Sequence, residues 1–106
     1  MIFNTLKFNS LVKKMVYTII IFYKFKELSP SQEGKARKEW DEIKSQLPEK
    51  IRFVSNNSHA FGTAWSGFLI VESEDFESYV QFWKWFKDRI RWYVAETQTI
   101  IGTKRE

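Results

Sequence analysis

From Val16 to Phe25 the chain is apolar at almost every position, with Tyr17, Ile19, Ile20, Ile21, Phe22 and Tyr23 in close succession. A short run of β-branched and aromatic residues predicts a strand, and apolar groups at both odd and even positions predict one buried on both faces. Ser29-Pro30-Ser31-Gln32 then supplies an N-cap, a proline for the first helical position and a Gln placed to complete a capping box. The helix that starts there carries Ala36, Trp40, Ile43 and Leu47 at helical spacing. Its charged residues, among them Lys35, Arg37, Lys38, Asp41, Glu42 and Lys44, fall mostly off that stripe. Leu47-Pro48 ends it, because the residue before proline is pushed out of the helical region.

Ile51 to about His59 reads as a second strand, regular over Ile51-Arg52-Phe53-Val54 and polar over Ser55-Asn56-Asn57-Ser58. Gly62-Thr63 breaks the chain before a third strand at Gly67-Phe68-Leu69-Ile70-Val71, so the two form a long hairpin with an open or bulged loop. Ser73-Glu74-Asp75 offers capping oxygens and negative charge for a second helix, expected to run to about Trp92. Phe76, Tyr79, Val80, Trp83, Phe86 and Ile90 make its core stripe, with a second stripe at Phe82, Trp85 and Trp92. Thr97 to Gly102 gives a fourth strand before the charged end Lys104-Arg105-Glu106.

Strand, helix, strand, strand, helix, strand is the ferredoxin-like βαββαβ order of an α+β fold: a four-stranded antiparallel sheet with two helices on one face. The other face is left bare, yet the first and third strands are apolar on both sides. A second copy of the chain is the simplest cover, so the expected partner is the chain itself, as a homodimer or a higher oligomer.

Residues 1–14 mix Ile2, Phe3, Leu6, Phe8, Leu11 and Val12 with lysines and follow no clean period. They read as an N-terminal arm to a single domain over 15–106, expected to lie across the Phe82, Trp85 and Trp92 stripe. Met15 reads as a candidate natural start. The 106 residues suit one domain, and an apolar fraction of 43% argues against disorder. The absence of cysteine removes disulfides, thiolate metal sites and cysteine nucleophiles, and fits a reducing, cytoplasmic setting. Met15 to Tyr23 is about half the ~20 residues a membrane span needs. Lys24-Phe25-Lys26 then stands where a secretory signal would carry small residues. The net charge of +4 is spread among thirteen carboxylates and marks no basic patch.

His59 is the single histidine and the candidate catalytic base, at the point where the second strand gives way to the hairpin loop. A hydrogen-bonded turn residue is its plainer reading. Asn56, Asn57 and Ser58 beside it could orient a carbonyl or an oxyanion, or simply shape the loop. Five tryptophans exceed the needs of so small a core. Trp40 and Trp83 fall on core stripes, which leaves Trp65 as the pocket or interface candidate. The candidate ligand-binding residues are thus Tyr23, Asn57, Trp65 and Phe68. No metal site is expected, because one histidine without cysteines has no paired ligand spacing, and no cofactor is assigned. Single-stranded nucleic acid is the competing ligand, since RNA-recognition modules share this element order. Against their signature, Ser66 to Ser73 keeps Gly67, Phe68 and Val71 but lacks the basic residue and both later aromatics.

His59-Ala60, six residues, then Gly67-Phe68-Leu69-Ile70-Val71-Glu72, an acidic helix start and the pair Trp83 and Trp85 resemble the dimeric α+β barrel superfamily. Short bacterial and archaeal proteins of uncharacterised function are the nearest in kind. The resemblance covers roughly the second half of the chain. It implies a pocket between sheet and helices, a place that relatives use for cofactor-independent oxygenation, haem degradation, isomerisation or amino-acid sensing. It carries over no catalytic residue and chooses no activity. The expected function is binding, with or without transformation, of a small apolar or aromatic molecule. The alternatives are a single-stranded nucleic-acid module and a structural or regulatory oligomer without catalysis.

Overall fold

The computed structural model describes residues 16–104. The arm over 1–14 and the question of a start at Met15 lie outside the described residues. The elements follow in the expected order: β1 (Tyr17–Phe25), α1 (Pro30–Ser45), β2 (Ile51–Ser58), β3 (Gly67–Ser73), α2 (Phe76–Ile90) and β4 (Val94–Thr103). All strand pairs are antiparallel, in the spatial order β2-β3-β1-β4, so the two apolar strands occupy the centre. The chain has the ferredoxin-like fold.

Local chemistry accounts for the helix starts. Ser29 accepts a hydrogen bond from the Gln32 backbone N–H at 3.2 Å, while its own N–H donates to Gln32 Oε1 at 2.9 Å, closing the capping box ahead of Pro30. Asp75 caps α2 by accepting from the Ser78 N–H at 2.7 Å.

The core lies between the sheet and the helices. Ile19, Ile21, Leu69 and Val71 from the central strands meet Ala36 and Ile43 of α1 and Tyr79, Phe82, Phe86 and Ile90 of α2. Phe82 and Phe86 stack at 5.1 Å, and Trp40 packs edge-on against both Phe86 and Phe53. The helices are also clamped through Arg89. Its guanidinium donates to Glu39 at 2.8 Å and to Gln46 at 2.6 Å, and lies 5.2 Å from the Trp85 ring.

Two expectations for α2 need correction. Phe82, assigned to the outer stripe, is 1% exposed, whereas Phe76, assigned to the core, is 50% exposed. Both stripes fit a 3.6-residue period, and the buried face takes Phe82 from one and Tyr79, Phe86 and Ile90 from the other. The helix also stops at Ile90, and β4 begins at Val94, three residues before the strand expected from Thr97.

Side-chain alternation gives the other face of the sheet two cross-strand rows. Ile100, Ile20 and Ile70 stand opposite one another in one, and Gln98, Phe22 and Phe68 in the next. No helix of the described chain covers them.

Candidate functional site

Where the sheet meets the hairpin loop, sheet and helices part to leave a cavity of about 710 Å³. Its apolar wall comes from Ile21 and Leu69 of the sheet, Ala36 and Trp40 of α1, Phe86 and Ile90 of α2, and Tyr93 and Val94 at the entry to β4. Lys26, Glu33, Arg37, Asp41 and His59 ring it with charge and polarity. Tyr23, Asn56, Ser58 and Ser66 add hydrogen-bonding groups from the strand ends.

Strand pairing places the polar groups. On the helix-facing side Tyr23 of β1 lies across from Gly67 of β3, which in turn lies across from Ser58 of β2. With no side chain on Gly67, the Tyr23 ring is free to lean over β3 toward β2, and its hydroxyl donates to Asn56 Oδ1 at 2.7 Å. Burial raises the Tyr23 pKa above that of a free tyrosine, outweighing the lowering effect of Asn56. Tyr93 is pushed higher still, first by burial and next by the Glu39 carboxylate, and its buried hydroxyl has no hydrogen-bond partner. Both phenols therefore keep their protons at neutral pH.

Asn56 faces inward because β2 is irregular. Its register against β3 shifts between Phe53 and Ser55, so that Phe53 opposes Val71 and Ser55 opposes Ile70. Val54 is the additional residue, and from there on the strand presents the opposite set of side chains to each face. Asn57 consequently lies on the open face, where its amide donates to Ser55 Oγ at 2.9 Å.

Of the residues singled out in the sequence, Tyr23, Asn56, Ser58 and His59 line the cavity. His59 sits at its rim with φ of 59°, ending β2 in the left-handed region that non-glycine residues seldom adopt. Phe68 and Trp65 are placed elsewhere, with Phe22 on the open face at 5.6 and 6.2 Å and with Lys24 5.0 Å from the Trp65 ring. Sequence reasoning passed over Tyr93, hidden between the expected helix end and strand start, and favoured Asn57 over Asn56.

Among the described residues, no three His, Asp or Glu side chains converge to hold a metal ion, and no helix is long and apolar enough to cross a membrane.

The sequence matches no protein-family profile and no curated protein. Its structure is similar to several solved ones. A Dabb-family protein with a ferredoxin-like fold from Mesorhizobium loti superposes with a TM-score of 0.65 at 13% identity, covering 88% of this chain and all of that one. A dimeric ferredoxin-like protein of unknown function from Bacteroides fragilis gives 0.60 at 11%, over 84% of this chain and 96% of that one. A mutant chlorite dismutase from Candidatus Nitrospira defluvii gives 0.70 at 14%, over 86% of this chain but 40% of the other. The fold implied by the resemblance of the hairpin and the second helix is thus the fold these proteins share.

Proposed function

We propose that the chain is a homodimeric α+β barrel protein that binds a small apolar or aromatic molecule in the cavity between sheet and helices. The observation that carries the reading is the cavity itself. Its volume of about 710 Å³ falls within the roughly 300–1,000 Å³ of small-molecule sites, and its wall is aromatic and aliphatic with a few polar groups at one end. Lys26, Arg37, Glu33 and Asp41 balance one another at the rim, which favours an uncharged ligand body. His59 stands there as the candidate base for any proton transfer. Pairing of two open sheet faces is supported by the Ile20, Ile70 and Ile100 row and by the dimeric state described for the Bacteroides fragilis protein. A reducing, cytoplasmic setting belongs to the same reading.

The experiment is native mass spectrometry of gently purified protein, joined to titration with small aromatics followed through the tryptophan indole N–H resonances. Trp40 lines the cavity and Trp65 does not. A ligand in the cavity is expected to shift the Trp40 signal, assigned by its loss in Trp40→Phe, and to leave Trp65 in place. Shifts confined to Trp65, or none, would contradict the reading.

A further inference from the structure

The hydrogen bond between Tyr23 and Asn56 bears on what the cavity accepts. A phenol can donate to an amide oxygen or accept from an amide nitrogen. Tyr23 is nearly buried, and Asn56 Oδ1 is the only hydrogen-bond partner of its hydroxyl among the described residues. As an acceptor it would leave its own proton unmatched, a cost that the exposed Asn56 amide avoids by turning its oxygen toward the phenol. The two Nδ2 protons of Asn56 are then presented away from Tyr23, and no described residue receives them. At the polar end of the cavity Asn56 thereby presents a donor.

We propose, resting on the cavity reading above, that the site selects molecules with an apolar or aromatic body bearing a carbonyl-type oxygen, which accepts from Asn56 Nδ2. Tyr23 acts as a positioning residue that sets which end of the amide faces the ligand. Gly67 makes the arrangement possible, since a Cβ there would lie 2.6 Å from the Tyr23 hydroxyl oxygen.

The test titrates the full chain with acetophenone and with α-methylstyrene, which replaces the carbonyl oxygen by a methylene group while keeping the planar shape. Asn56→Asp exchanges the amide donor for a carboxylate acceptor at an exposed position and is expected to fold normally. It should weaken acetophenone by about tenfold, the loss of one hydrogen bond, and leave α-methylstyrene within about twofold. In the parent protein, acetophenone but not α-methylstyrene should shift the Asn56 Nδ2 proton resonances. In Tyr23→Phe that shift should shrink, because the amide is no longer held, whereas a merely structural role for Tyr23 would move both ligands together. Equal weakening of both ligands by Asn56→Asp, or undiminished acetophenone binding, would overturn the inference while leaving the cavity reading intact. Binding of neither ligand to the parent protein would overturn both.

Discussion

Gly67 lies directly across the sheet from Tyr23, so close that a Cβ on the glycine would approach the tyrosine hydroxyl oxygen to 2.6 Å and the Asn57 carbonyl oxygen to 2.5 Å. The tyrosine side chain has some freedom to retreat; the Asn57 backbone, paired within the sheet, has little. Gly67→Ala is expected to destabilise the fold by about 1–3 kcal/mol, the usual cost of overpacking, and to displace the phenol from Asn56. Denaturant unfolding measures the first effect and the Asn56 side-chain resonances the second. An alanine variant as stable as the parent, with those resonances unchanged, would contradict the geometry.

The position of α2 over the sheet makes a second prediction. Phe82 is fully enclosed and Phe76, six residues earlier, is half exposed. Phe82→Ala should cost about 3–5 kcal/mol in lost burial and residual cavity, and Phe76→Ala about 1 kcal/mol or less. Paired unfolding curves for the two variants check this, and equal losses would mean that the helix is rotated from the orientation described.

These α2 residues show how far the sequence could be read. The order of elements was legible because strand-like runs, the Ser29 capping box and the Ser73-Glu74-Asp75 cap are local signals. The facing of α2 was not, because aromatics at 76, 79, 82, 83, 85 and 86 satisfy the helical period on more than one side. In the site, Tyr23 followed from its place at the end of β1. Asn56 was obscured by the irregularity at Val54, which reverses the inward set for the rest of β2 and has no marker such as a glycine. Trp65 and Phe68 were candidates for ligand binding, but sequence alone does not tell one sheet face from the other.

Asp75 supplies a prediction with pH. Hydrogen bonding from the Ser78 N–H, with a smaller contribution from Lys50 at 3.3 Å, holds its carboxyl below its ordinary value of 3.8. The folded state therefore binds the proton less readily than the unfolded chain. The stabilisation is complete above the unfolded value and is lost as pH falls through the lower folded one. The difference in melting temperature between the parent and Asp75→Ala should hold steady down to about pH 5 and close as the solution is acidified toward about pH 2. Melting curves at stepped pH decide it; a gap unchanged under acid would show that the carboxylate is not the capping group.

The remaining prediction concerns the open face of the sheet. Ile100 is 51% exposed in the single chain and stands in one cross-strand row with Ile20 and Ile70, beside the Phe22 and Phe68 pair. In a lone subunit a charge at Ile100 would meet water and cost little. In a dimer joined through this face it would be buried without a partner, at several kcal/mol. Light scattering should therefore give a dimer mass for the parent at micromolar concentration and a monomer mass for Ile100→Asp, with the circular dichroism of the two alike. The parent should also melt at a temperature that rises with its concentration, as mass action requires, and the variant should not. A parent that is monomeric at every concentration would overturn the pairing and leave Phe22, Phe68 and Trp65 open to solvent as a stacking surface. Single-stranded oligonucleotides titrated at rising salt would then be the decisive measurement. Stacking on the aromatics would resist salt, while contacts made only through Lys24 and Arg52 would fade with it.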